Sequence, residues 1–296
     1  MNRQGKSKIA LIFSMIIFGT IGIFRRYIPL ESSTIAMTRG FIGMLSLLLI
    51  MLVRKEKVSV KDIKNNLVLL VVSGIVLGMN WILLFEAYNY TTVAVATLCY
   101  YMAPIFIIIV SPVLLKERIT FRKAACILVA LAGMILVSGV LNTGNKPTDY
   151  RGILFGLGAA VLYACVVILN KKISGISAYD KTIVQLGVSG IVLLPYVLLT
   201  AKEEAGNLSL FVVFMVLIVG IVHTGLAYAL YFGSMKNLPA QTVAMFSYID
   251  PVIAILVSVL VLSEKIGRLE NVGILCVLCS TIISELPQKK SGQAKT

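Results

Sequence analysis

Ten apolar runs, each of a length that can cross a bilayer, follow one another along the chain with only short polar breaks between them. They lie at roughly 8–24, 34–53, 67–88, 91–115, 122–140, 151–170, 180–199, 208–234, 239–262 and 270–286. A spanning helix needs about 20 predominantly apolar residues, so ten spans use about 200 residues. Of the 296 residues, what remains suffices for short loops and tails and leaves no separate soluble domain. The expected fold is therefore an all-α integral membrane protein with ten transmembrane helices.

Composition agrees. Hydrophobic residues make up 58% and charged residues 14%, with a mean hydropathy of +0.95. A soluble domain carries about 25% charged residues. The net charge is +14. In a soluble chain that excess would suggest nucleic acid. Here the basic residues sit mostly between the apolar runs, where they act as topology signals and contacts to anionic lipid. The expected partners are a lipid bilayer and a small-molecule substrate, with no nucleic acid and an oligomeric state left open.

The first run follows Arg3, Lys6 and Lys8, as a signal peptide would. It ends in Phe24-Arg25-Arg26 without a small-x-small cleavage site, so it reads as a retained helix. Cys99, Cys126, Cys165, Cys276 and Cys279 all fall inside apolar runs. No His or carboxylate accompanies the Cys276/Cys279 pair in its run, so the five read as small packing residues. No disulfide framework, metal or cofactor is expected.

Basic residues also orient the chain. With the N-terminus in the cytoplasm, 19 Lys and Arg fall on the cytoplasmic side and 7 on the outer side, Arg39 lying within a span. That bias predicts a multi-pass protein of the cell membrane with both termini cytoplasmic.

The chain repeats itself. Displaced by 147 residues, Tyr101, Pro104, Ile108, Val110, Ser111, Leu115, Glu117 and Ile119 fall on Tyr248, Pro251, Ile255, Val257, Ser258, Leu262, Glu264 and Ile266. Gly78, Leu83 and Phe85 fall on Gly225, Leu230 and Phe232 at the same offset. Chance agreement between apolar runs would not align Tyr, Pro and Glu together. The expected units are a first repeat over 1–141, a linker over 142–150 and a second repeat over 151–296. Five spans per repeat is odd, so the second repeat is inverted in the membrane. Two inverted five-helix repeats can rock about a midplane site that opens to either side.

Ten spans in two sets of five, Tyr-x-x-Pro in spans 4 and 9, and Glu117 and Glu264 after them resemble the EamA-type transporters of the drug/metabolite transporter superfamily. The resemblance covers nearly the whole chain. It implies a central cavity lined by spans 1, 3, 4, 6, 8 and 9, with spans 5 and 10 peripheral. It leaves the substrate open, because the family exports amino acids, nucleosides, purines, vitamins and drugs.

Several residues would carry chemistry in such a site. Asp250 sits near the middle of span 9, where a carboxylate costs about 2.5–3.5 kcal/mol on insertion scales and must face protein or water. It would couple protons or bind a substrate amine. Otherwise it would hydrogen-bond a backbone group freed by Pro251. Its repeat mate is Ala103, so the acid belongs to one half only. His223, the only histidine, lies mid-span in span 8, which the resemblance puts beside span 9. It would serve as a proton relay to Asp250 or as a neutral interhelical hydrogen-bonding residue. Arg39 and Glu86 lie toward the outer ends of spans 2 and 3 and are candidates for a gate, or for holding a substrate carboxylate and ammonium. Asn80 and Trp81 adjoin in span 3, and Trp81 is the only tryptophan. Trp81 and Tyr228 are repeat mates, as are Tyr101 and Tyr248. Placed well inside their spans rather than at the interfaces, these four would line a pocket for planar or cationic ligands or simply pack helices.

The chain has no Walker motif, no GxSxG and no zinc-ligand spacing, so direct ATP drive is not expected. The reading is a secondary transporter, exporting a small amphipathic metabolite such as an amino acid or amine by alternating access, with proton coupling through Asp250. An intramembrane enzyme is the first alternative, but no nucleophile stands at sensible spacing from a base. A non-transporting membrane sensor is the second, but it would have no need of Asp250, His223 and Asn80 at mid-depth.

Overall fold

The computed structural model describes residues 3–91, 93–117, 119–137, 149–200, 209–262 and 267–286. The expected linker lies outside them except for Asp149 and Tyr150, as do Glu264 and Ile266 of the repeat. Among the described residues every regular element is helical. The helices are α1 (Arg3–Arg26), α2 (Ser32–Val53), α3 (Val60–Asn65), α4 (Leu67–Tyr90), α5 (Val93–Tyr100), α6 (Ala103–Leu115) and α7 (Phe121–Val137). They continue as α8 (Tyr150–Lys172), α9 (Ala178–Thr200), α10 (Leu210–Gly220), a π segment (Ile221–Leu226), α11 (Ala227–Met235), α12 (Ala240–Ser247), α13 (Ile249–Leu262) and α14 (Arg268–Glu285).

Among the described residues, eight helical segments are long and apolar enough to cross a membrane. Five are built from one helix each (α1, α2, α4, α8 and α9), and three run through breaks: Val95–Leu115, Leu210–Met235 and Ala240–Val257. In α14 the apolar stretch Asn271–Ser284 is shorter. The outward surfaces are apolar as well, with Phe121, Leu199, Leu210 and Leu260 more than 80% exposed. Side chains of this kind cover a surface that meets hydrocarbon rather than water, and the chain is a multi-pass membrane protein.

Helices pack closely where the sequence supplies small residues. A Cβ at Gly74 or Gly78 of α4 would lie 2.7 or 3.0 Å from the Cβ of Val188 or Val192 on α9, so the small-xxx-small pair seats α4 directly on α9. The two ends of the bundle are finished by polar caps. Ser59 accepts the Asp62 N–H at 3.3 Å to start α3. Asp149 accepts the Arg151 N–H at 2.9 Å to start α8, and the Arg151 guanidinium holds the Asp149 carboxyl below its usual range.

Spans 4 and 9 are broken rather than kinked. Pro104 and Pro251 lie in the first turns of α6 and α13, where a missing N–H is tolerated. The residues at the breaks, Met102 (φ −72°, ψ −12°) and Tyr248 (φ −73°, ψ −8°), share one backbone conformation. The 147 residues that separate Tyr101 from Tyr248 also carry Val93–Tyr100 onto Ala240–Ser247, and Leu115 onto Leu262. Span 8 is interrupted differently, by the π segment at Ile221–Leu226. There Gly225 comes so near α2 that a Cβ on it would meet Ser46 Oγ at 2.6 Å.

Candidate functional site

The breaks in spans 4 and 9 open on a cavity of about 530 Å³. Its walls come from α1, α2, α4, α5, α6, α8, α10, α11, α12 and α13, and none of the lining residues belongs to α7, α9 or α14. Span 2 thus joins the spans that the family resemblance implied, through Ser32, Ile35, Ala36 and Arg39. The cavity runs from Tyr163 and Tyr231 at mid-depth to Arg25, Ser32 and Tyr88, at the end of the bundle that carries the 27–31 connection. A separate hollow of about 570 Å³ between α7 and α14 is lined chiefly by apolar side chains, away from every polar residue of the central cavity.

Aromatic rings form the floor. Trp81 meets Tyr228 edge-on at 6.0 Å, Tyr228 meets Phe18 at 5.0 Å and Phe18 meets Tyr231 at 6.0 Å. Tyr231 stacks on Tyr163 at 6.4 Å, and Tyr163 meets Tyr100 at 5.6 Å. The hydroxyls of Tyr163 and Tyr231 are hydrogen-bonded to each other, and Tyr163 also lies 3.3 Å from Ser247 Oγ. This hydroxyl cluster joins α8, α11 and α12 beneath the cavity. Of the expected aromatic set, Trp81, Tyr101, Tyr228 and Tyr248 all line the cavity.

Two charged side chains in the lining, Asp250 and Arg39, make no hydrogen bond or ion pair among the described residues. Asp250 lines the cavity from the first turn of α13, and its carboxylate makes no hydrogen bond or ion pair with any described residue. The backbone partner that Pro251 would have freed is therefore not what holds it. A carboxylate suits the first turn of a helix, where the helix dipole is positive. Arg39 lines the cavity from α2, its Cζ 4.4 Å above the centre of the Trp81 ring. Its Nε is buried without a hydrogen-bond partner, and no carboxylate pairs with it among the described residues. A cation stacked on an indole is held in place while its N–H groups stay free.

Other expected residues stand elsewhere. Asn80 is buried outside the cavity and donates to the Ala159 carbonyl at 2.6 Å, tying α4 to α8. Glu86 does not line the cavity; it accepts from the Tyr196 hydroxyl at 2.5 Å and from Asn89 at 3.4 Å, and it does not pair with Arg39. His223 is buried on the π segment, with Nε2 3.0 Å from Thr20 Oγ1 and its ring 4.7 Å from that of Phe24. No contact joins it to Asp250. Helix α1 presents Thr20 to His223 and the neighbouring Gly19 to α13, where a Cβ would sit 2.6 Å from the Asp250 carbonyl oxygen. The structure therefore brings Asp250 and Arg39 to one cavity and leaves His223, Asn80 and Glu86 in helix contacts around it.

Sequence reasoning did not single out Tyr163, Ser247, Phe18 or Arg25 as site residues. A tyrosine at mid-span away from the interfaces was the one available signal for Tyr163. Arg25 sits at the cavity mouth, where its guanidinium donates to the Ile28 and Leu30 carbonyls at 2.7 and 2.9 Å and closes the 27–31 connection.

Comparison with known proteins agrees in family and fold. The EamA-like transporter family matches the chain twice, over residues 6–139 and 150–286. An uncharacterized transporter of Bacillus subtilis, YxxF, is 27% identical over 286 residues, covering 95% of this chain and 90% of the relative. An uncharacterized transporter of Archaeoglobus fulgidus is 26% identical over 276 residues, covering 93% of this chain and 94% of the relative. A crystal structure of a protein 17% identical in sequence superposes with a TM-score of 0.84, covering 96% of this chain and 99% of that one, and so shares the fold.

Proposed function

The chain belongs to the EamA-like transporter family, and from that membership and its central cavity we propose that it is a secondary transporter of a small zwitterionic or cationic metabolite. The observation that carries this reading is the pair of unpartnered charges in one cavity, Asp250 and Arg39. Two isolated charges held in low dielectric are costly, and a ligand bearing an ammonium and a carboxylate would neutralise both. The aromatic floor of Trp81, Tyr228 and Phe18 would cover the apolar part of such a ligand. An amino acid with an apolar side chain has these features.

In this reading the chain has ten spans in two inverted halves, residues 1–141 and 151–296, joined by the 142–150 linker. The halves rock about the cavity, and both termini are cytoplasmic. The cavity mouth at Arg25 and Tyr88 then faces outward, the side to which an exporter releases its substrate. Asp250 exchanges a proton against the substrate ammonium, each neutralising the carboxylate in turn. His223, held by Thr20, acts on that exchange only through the seating of α1 against α13.

The test is flux in proteoliposomes. Purified protein should exchange a labelled apolar amino acid across the membrane and accept the matching amine more weakly, because the amine leaves Arg39 unpaired. A nucleoside should not compete. Transport of nucleosides with no exchange of amino acids or amines would refute the substrate assignment.

A further inference from the structure

At the end of the bundle opposite the cavity mouth, the end of α11, the start of α12 and the turn between them (residues 236–239) are held from four directions. Lys171 of α8 donates through Nζ to the Leu238 carbonyl at 2.6 Å and to the Met235 carbonyl at 3.3 Å. Lys181 of α9 donates to the Phe232 carbonyl at 2.9 Å. Asn237 in the turn donates to Ser7 Oγ of α1 at 3.0 Å. Glu117, just past α6, accepts the Ala240 N–H on both carboxylate oxygens at 2.9 Å and lies 3.7 Å from Lys171. Beneath this clasp, Leu11, Ile107, Leu238, Val243 and Ala244 pack in one buried cluster that seals the cavity floor from this side.

The four holds differ in where they come from. Lys171 and Lys181 belong to the same half of the chain as the turn they grip, so they move with it. Ser7 and Glu117 belong to the other half, and their bonds must break if the halves separate on this face. Of these two, Glu117 offers the stronger bond: a charged acceptor, largely buried, facing a helix N-terminus. The chain is shaped to present it. Helix α6 ends at Lys116 in a left-handed conformation (φ 55°, ψ 28°), rarely adopted by a residue other than glycine, and this turns Glu117 toward α12.

We propose that Glu117 is the latch that keeps the cavity closed on this face, and that release of the Ala240 N–H from its carboxylate opens the cavity toward it. The inference rests on the alternating-access reading above. Glu117 does not line the cavity, so it is a positioning residue that sets the balance between two states rather than a ligand for substrate.

Accessibility in oriented vesicles tests the latch. In full-length protein lacking the five native cysteines, Val243→Cys reports the sealed face and Ala254→Cys, in the cavity wall, reports the open one. Each is alkylated with an impermeant maleimide applied from each side. Glu117→Gln removes the charge and should raise labelling of Val243→Cys about tenfold, the effect of one charge-assisted hydrogen bond, while labelling of Ala254→Cys falls. Ser7→Ala should shift both in the same directions by less, and it serves if Glu117→Gln does not yield monodisperse protein. A rise at Val243→Cys with no fall at Ala254→Cys would mean local loosening and would overturn the latch. So would slow labelling of Val243→Cys that is the same with and without Glu117→Gln. If Val243→Cys is inert from both sides in every chain, alternating access itself fails and the latch falls with it.

Discussion

Tyr248 donates its hydroxyl to the backbone carbonyl of Tyr101 at 3.1 Å, across 147 residues of sequence. The bond joins the break before α6 to the break before α13, so the two interrupted spans meet at the cavity. At a break the carbonyl of the preceding turn has no partner within its own helix. Tyr248 supplies one from the other half of the chain. The same ring is fully buried against Met134, Met245 and Val252, which fixes where the hydroxyl points.

Tyr248→Phe should therefore fold with the cavity shape retained but lower stability. Removing a single donor from a buried carbonyl costs about 1–3 kcal/mol. The thermal midpoint of purified protein in detergent should fall by a few degrees, with substrate KM little changed. A midpoint equal to that of the unmodified chain would mean that water replaces the hydroxyl at the break.

Arg39 should distinguish charge from shape. Arg39→Lys keeps the cation but loses the planar group stacked on Trp81, and with it the fixed direction of the N–H groups. We expect KM for an amino acid to rise about tenfold, corresponding to about 1.4 kcal/mol, with less effect on the matching amine. Trp81→Leu frees the guanidinium and should likewise weaken the amino acid more than the amine, on top of a loss shared by both from the uncovered apolar part of the ligand. Equal losses for amino acid and amine would show that Arg39 braces the wall and does not bind a carboxylate.

Much of this arrangement was legible in the sequence, for physical reasons that can be named. Long apolar runs declare spanning helices because lipid admits little else. The offset that pairs Tyr101 with Tyr248 also pairs the bounds of α5 and α12, since a repeated sequence repeats its local backbone preferences. The Gly74/Gly78 pair, four residues apart on α4, allows the close helix contact that α9 fills. Partners across the bundle were not legible. Hydropathy gives depth but not rotation, so it could not tell that Glu86 turns to Tyr196 or that His223 turns to Thr20 instead of Asp250. Nor could it reveal that Arg39, near the end of a span, points inward onto Trp81 rather than out to the interface.

Orientation can be checked with two exposed positions. Glu31 lies in the connection after α1 and Lys57 in the connection after α2, at opposite ends of α2. The 19-to-7 distribution of basic residues predicts that Glu31→Cys reacts with an impermeant thiol reagent from outside and Lys57→Cys only from the cytoplasm. The reverse pattern would invert the chain and turn the cavity mouth at Arg25 toward the cytoplasm.

Asp250 carries the sharpest prediction. Its carboxylate lines the cavity and makes no hydrogen bond or ion pair among the described residues, so in the proposed cycle its charge is balanced by a proton or by substrate at each stage. Asp250→Asn keeps the size and removes titration. No internal hydrogen bond is lost, so the variant should fold with a thermal midpoint equal to or above that of the unmodified chain. It should lose accumulation driven by an imposed pH gradient while retaining substrate-for-substrate exchange, although with weaker binding of the ammonium group. His223→Gln can still bond Thr20 and should leave gradient-driven flux within about twofold, well under the effect of one lost charge-assisted bond. The measurement is flux in proteoliposomes with and without a pH gradient, for both variants side by side. Unchanged gradient-driven flux in Asp250→Asn would remove proton exchange at this residue and leave it a binding group alone. A large loss in His223→Gln with Asp250→Asn unaffected would move the coupling site to the π segment.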